Sequence, residues 1–231
     1  MRLTFNLPPD SIEIVSDLLP PVRTISILST IMTTTLKNIY IVGAQCTGKT
    51  TLVNALESHF ASRAAHNRPV IVREVARTVL KTHSLAATDI RSSPQSAFEM
   101  QKLMLLAQVD AERQAMTEAG WYISDRSGVD PICYALSHAG EDAANDLLAT
   151  EAWAELKPRL EGGLIVVCEA GCRWLVDDGV RLMPLDQDEW MGFHVLFSVS
   201  WTDLGCHILF FPPTSRIFRR GCSTCWPPDE R

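Results

Sequence analysis

The chain carries no surplus of positive charge. Its 21 lysines and arginines stand against 27 aspartates and glutamates, a formal charge of −6 with a pI near 5.5. That balance argues against a general nucleic-acid-binding surface but leaves room for a local basic pocket. No run is long and apolar enough to span a bilayer, so no membrane partner is expected. His59, His66, His83 and His138 show no metal spacing, and no serine–histidine–acid arrangement stands out. The 7 cysteines lack the regular pattern of a disulfide scaffold. They read as reduced thiols, which places the protein in the cytoplasm. Cys222 and Cys225 form a lone CxxC, too few ligands for zinc even with Cys206 and His207 nearby.

What is present is sharper. Ile39 to Val42 is a short apolar run, followed at once by Gly43-Ala44-Gln45-Cys46-Thr47-Gly48-Lys49-Thr50-Thr51. This is the phosphate-binding pattern GxxxxGKT, and Leu52 to Phe60 reads as the helix that should follow it. Glycines let backbone amides wrap phosphate oxygens, and the helix start adds orphan N–H groups. Residues Gly43 through Thr51 are therefore expected to hold ATP, with Lys49 at the β- and γ-phosphates and Thr50 on Mg²⁺. There is no guanine-reading Asn/Thr-Lys-x-Asp sequence and no switch signature, which counts against a regulatory GTPase.

Three regions are expected: an extension at 1–36, a P-loop domain at 37–192 and an atypical segment at 193–231. Pro8, Pro9, Pro20 and Pro21 interrupt the extension. Its few acidic residues leave mitochondrial targeting open, although Asp10, Glu13 and Asp17 weigh against it. In the core, Val70-Ile71-Val72 reads as a second strand. Ser93-Pro94 opens a helix over 95–118, with Phe98, Leu103, Leu105, Leu106, Val109 and Met116 as its apolar positions, and Gly120 ends it. Trp121-Tyr122-Ile123 is the next strand. Helices around 130–138 and 142–160 precede a buried strand at Leu164 to Val167. Alternating helices and buried strands predict a three-layer α/β/α fold around a mostly parallel sheet.

Two strand ends carry candidate chemistry, because ligands in such sheets gather at the carboxyl edge. Asp125 is expected to hold Mg²⁺ or to act as a base, with Arg126 on a phosphate; helix capping and a surface position are the plain alternatives. Glu74 is a second candidate base, with Arg73 or Arg77 as phosphate contacts, against a surface ion-pair network. Gln101, Gln108 and Glu112 share one face of the long helix, as offsets of seven and four require. That stripe either holds a nucleoside or faces solvent. Arg181, and after it Arg173, could close over phosphates from a loop that also carries Trp174, Asp177 and Asp178.

The combination GAQCTGKTTL, REVARTVL, QKLMLLAQVDAE, ISDRSGVDPICYA and CEAGCRWLVDDGVRLMP resembles fungal AAA-type ATP-binding domain proteins related to the NadR-like nicotinamide riboside kinases. The resemblance covers roughly 37–192. It implies the P-loop nucleoside/nucleotide-kinase fold, ATP and Mg²⁺ as cofactors, and phosphoryl transfer to a nucleoside-like small molecule, nicotinamide riboside among the options. It maps the acid near the acceptor to Glu74, the strand-end acid to Asp125, the DR(S) arginine to Arg126 and the lid cation to Arg181. An ATPase without an acceptor and a non-catalytic ATP-binding scaffold are the competing readings. Such relatives continue into a long helix and a last strand. Here Phe210-Phe211-Pro212-Pro213 and Cys225-Trp226-Pro227-Pro228 depart from that pattern, and the expectation is that a sheet edge or packing helix is missing.

Overall fold

A computed structural model describes residues 38–61, 68–170, 182–202 and 207–211. The 1–36 extension, the 171–181 segment with Arg173, Trp174 and Arg181, and the Cys222–Cys225 pair lie outside the described residues.

Among the described residues, five strands form one parallel sheet in the order β2-β3-β1-β4-β5. They are β1 (Ile39–Val42), β2 (Val70–Val72), β3 (Tyr122–Asp125), β4 (Leu164–Cys168) and β5 (His207–Phe211). The helices between them are α1 (Lys49–Ala61), α2 (Ala76–Thr82), α3 (Pro94–Ala119), α4 (Val129–Ala139), α5 (Glu141–Leu148), α6 (Glu151–Glu161) and α7 (Gln187–Thr202), with a 3₁₀ turn at Ala87–Arg91. Alternation along the strands sorts the two faces. Ile39, Ile41 and Ile123 pack with Leu52, Val53, Leu56 and Phe60 of α1. Tyr40, Val42 and Tyr122 point the other way, onto Leu105 and Val109 of α3, Ile132 of α4, Leu156 of α6 and Phe197 of α7. Strands covered on both faces read as continuous apolar runs, which is the three-layer α/β/α architecture expected. Among the described residues no helix is long and apolar enough to cross a membrane.

Local chemistry sets the boundaries. Ser93 caps α3 by accepting from Ser96 N at 3.0 Å, Pro94 takes the first helical position, and Gly120 ends the helix at φ 74° with its N–H on the Met116 carbonyl. Two expectations need correction. The helix expected over 142–160 is two helices, because Thr150 is extended and its side chain caps α6 at Trp153 N. Leu106 and Met116 are exposed, since the buried face of α3 rotates to include Gln101, Gln108 and Glu112.

The carboxyl-terminal end also differs from expectation. The long helix and last strand are both there: α7 runs through residue 192, and β5 pairs with β4 from His207–Leu164 to Phe211–Cys168. The Pro-Pro steps that signalled a break begin only at Pro212, after β5 is complete.

Candidate functional site

β1 ends at Val42 and the loop turns immediately into α1. Gly43 sits at φ 130°, and a Cβ there would lie 2.4 Å from the Cys168 carbonyl oxygen on β4. Gly48 has φ 84°, and Cys46 also adopts a positive φ of 58°. The turn is therefore strained at a non-glycine position, as functional loops often are. Its first helical bond runs from Leu52 N to Gly48 O at 3.0 Å. Thr47 Oγ1 donates to Ala44 O at 2.9 Å and braces the curve.

Lys49 folds over this loop and is buried. Its Nζ donates to Gly43 O at 3.0 Å and Ala44 O at 2.5 Å. Burial, followed by repulsion from Arg126, pushes its pKa down to about 8, with Asp125 opposing. Thr50 Oγ1 donates to Asp125 Oδ2 at 2.7 Å, across 75 residues of sequence. The structure thus brings together the hydroxyl and the strand-end acid expected to share a metal.

These residues fit the implied groups. The loop's glycines keep its floor free of Cβ atoms at Gly43, where one would strike β4. One hydroxyl and one carboxylate are too few to hold Mg²⁺ unaided, and no cluster of three or more His, Cys, Asp or Glu that could hold a metal occurs among the described residues. That donor set suits a hydrated Mg²⁺ completed by phosphate oxygens.

Beside the loop opens a cavity of about 770 Å³ of empty space, part of it continuous with solvent. Gln45 of the loop, Glu74, Arg77, Gln101, Gln108, Arg126, Asp130 and Tyr134 supply its polar wall; Leu80, Ile90, Met100 and Met104 supply much of its apolar wall. Arg126 lies at the junction, at a positive φ of 88° with its own N–H on Ile41 O. Its guanidinium is pinned between Glu74 Oε1 at 2.6 Å and Asp130 Oδ1 at 3.0 Å. Asp130 in turn accepts from Ser127 N and Oγ, both at 2.8 Å. Burial raises the Asp130 pKa, with Arg126 opposing. Two carboxylates clamp one cation, and the pair of acids faces the cavity.

The other candidates divide. Arg77 lines the cavity and reaches Glu74 Oε2 at 3.4 Å. Arg73 does not: it bonds Asn54 and Glu57 on the exposed side of α1, so the surface-pair reading describes it. Thr51, the last loop residue, is the third residue of α1 and half-buried. The Gln101–Gln108–Glu112 stripe is not a solvated face. Gln101 and Gln108 line the cavity, whereas Glu112 lies behind it, holding Gln108 Nε2 at 2.8 Å and the hydroxyls of Tyr122 and Tyr40. Arg181 lies outside the described residues. Nearby, Leu182 reaches the cavity, and Arg91 ties the following segment down through Met183 O at 3.1 Å and a two-oxygen pair with Glu189.

Sequence reasoning missed Asp130, Tyr134 and Trp190. Asp130 had a signal, since Ser127-x-x-Asp130 before an apolar run is a capping-box pattern. Tyr134 reaches Gln45 Oε1 at 3.3 Å, and Trp190 Nε1 donates to Gln45 O at 2.8 Å. Neither carries a local motif.

A family described as AAA domain matches residues 38–219. No curated protein matches the chain. Among solved structures, the chain is similar to shikimate kinase from Acinetobacter baumannii in complex with shikimate. That pair shares 12% identity over 84% of this chain and 92% of the other, with a TM-score of 0.45.

Proposed function

The chain belongs to this AAA domain family, and from that premise we propose that it transfers a phosphoryl group from ATP to a hydroxyl of a small, nucleoside-like metabolite. Nicotinamide riboside is the first acceptor to test. The observation that carries the reading is the cavity, which shares Gln45 and Arg126 with the nucleotide loop and its strand-end partner. A protein that only hydrolysed ATP would have no need of such a chamber beside the phosphates.

In this reading bound ATP supplies the phosphoryl group, and Mg²⁺ neutralises charge as that group moves. The chain's own residues position and compensate. Loop amides and Lys49 hold the phosphates, and the Thr50–Asp125 pair holds the metal. Arg126, fixed by Glu74 and Asp130, stands where charge grows between donor and acceptor. Glu74 accepts the proton of the attacking hydroxyl. Its support is position: it lines the cavity beside Arg126, within reach of the loop that holds the phosphates. Asp125 is committed to Thr50 and does not line the cavity. Arg181 is assigned the role of lid cation.

The test is a split between binding and turnover. Glu74→Gln should lower kcat by about 100-fold or more while ATP affinity stays within a few-fold. An unchanged kcat with a working acceptor would remove Glu74 from the mechanism.

A further inference from the structure

Gln45 is the residue of the 43–51 loop that also lines the cavity, so it sits where donor and acceptor meet. It is 2% exposed. Its backbone is fixed from one side by Trp190, whose indole N–H donates to Gln45 O at 2.8 Å. Its side chain is fixed from another by Tyr134, whose hydroxyl donates to Oε1 at 3.3 Å. The amide Nε2 is buried and has no hydrogen-bond partner.

The orientation follows from the neighbours. Burial raises the Tyr134 pKa, with Arg126 opposing, so the hydroxyl keeps its proton and turns its lone pairs toward the guanidinium. Its single proton is left for Gln45, and the carbonyl end of the amide must face it. The NH₂ end is thereby left without a partner. A buried donor with nothing to donate to is unfavourable, and native proteins keep few of them. A leucine or methionine would fill the same space without that penalty. The amide is therefore explained by something that arrives: an oxygen on the molecule that fills the cavity.

We propose that Gln45 is a specificity-determining residue for the acceptor, its Nε2 donating to a carbonyl oxygen on the body of the small molecule bound beside the P-loop. Leu80, Ile90, Met100 and Met104 offer that body an apolar wall suited to a ring. The carbonyl belongs either to the ring itself, as in a lactam nucleobase, or to a carboxamide attached to it. This inference rests on the phosphotransfer reading for the identity of the occupant as an acceptor.

Two ligand pairs separate these sources: inosine against purine riboside, which lacks the ring carbonyl, and nicotinamide riboside against pyridinium riboside, which lacks the carboxamide. Affinities are measured by calorimetry on the full chain with Mg²⁺ and a non-hydrolysable ATP analogue. Wild-type protein should prefer the oxygen-bearing member of one pair by about tenfold or more. Gln45→Leu should bring that ratio close to one. Tyr134→Phe, which removes the group orienting the amide, should lower it at least threefold and decides the matter if Gln45→Leu does not fold. A ratio near one in the wild type for both pairs overturns the inference. So does a ratio that survives Gln45→Leu, or one that survives Tyr134→Phe where that variant decides, or the failure of both oxygen-bearing ligands to bind a folded protein that holds the ATP analogue. Transfer is read separately with ATP. Phosphorylation without the preference removes this inference alone, whereas the preference without phosphorylation removes the phosphotransfer reading alone.

Discussion

Lys49 shows how far one residue's chemistry can be followed. Burial and Arg126 bring its pKa down to about 8 from an ordinary 10.5. Below pH 8 both folded and unfolded chains hold the proton, and the cost of burying the charge is borne in full. Between pH 8 and 10.5 the unfolded chain binds more protons than the folded one, so this group's contribution to stability improves as pH rises. Polyphosphate reverses the preference by favouring the charged amine. Binding of ATP at pH 9 is therefore expected to take up a proton, seen by calorimetry in two buffers of different ionisation enthalpy, and Lys49→Met should abolish the uptake. Equal uptake in the variant would assign it elsewhere. Lys49→Ala should also weaken ATP binding by roughly 10–100-fold. Lys49, Thr50 and Asp125 were legible in sequence because a P-loop is local and demands an acidic partner at a neighbouring strand end. Tyr134 and Trp190 were not, since they reach Gln45 across 89 and 145 residues and nothing near either one marks the contact. Glu112 misled for another reason. Helical spacing places it on the cavity side, but two tyrosines and Gln108 draw it into the core.

At the scale of elements, glycine separates two kinds of turn. Gly120 ends α3 at φ 74° with nothing within 4 Å of a modest side chain. Gly120→Ala should cost about 1–2 kcal/mol, the left-handed strain alone. Gly43 adds a collision to its strain, because the added methyl would lie 2.4 Å from the Cys168 oxygen and force β1 from β4. Gly43→Ala should therefore cost clearly more than Gly120→Ala in urea unfolding, and should abolish ATP binding where Gly120→Ala leaves it intact. Equal losses would mean the loop relaxes without disturbing the sheet. Strands β1 to β4 and helix α3 were readable from apolar runs and from the Ser-Pro and Gly punctuation. The break between α5 and α6 was harder to read, because it depends on Thr150 turning its side chain back as a cap rather than on glycine or proline.

For the whole molecule, α7 and β5 complete the architecture that the carboxyl-terminal composition obscured. Phe193 and Phe197 are buried in the larger core, Trp190 braces the P-loop, and β5 covers one edge of the sheet. Apolar residues in an irregular sequence gave no period to follow, so the sequence showed the start of this region and hid its end. A chain stopped after residue 186 should lose cooperative thermal unfolding and ATP binding together; an unchanged melting temperature would contradict the packing described here. The central claim is that the cavity and the nucleotide loop form one phosphotransfer site. Its most direct measurement is transfer from γ-labelled ATP with Mg²⁺ across a nucleoside panel that includes nicotinamide riboside, with Lys49→Ala beside the wild type. A labelled nucleotide made by the wild type and absent from the variant is the predicted result. Label found only in inorganic phosphate whatever acceptor is added, or no transfer by a folded protein that binds ATP, would contradict it.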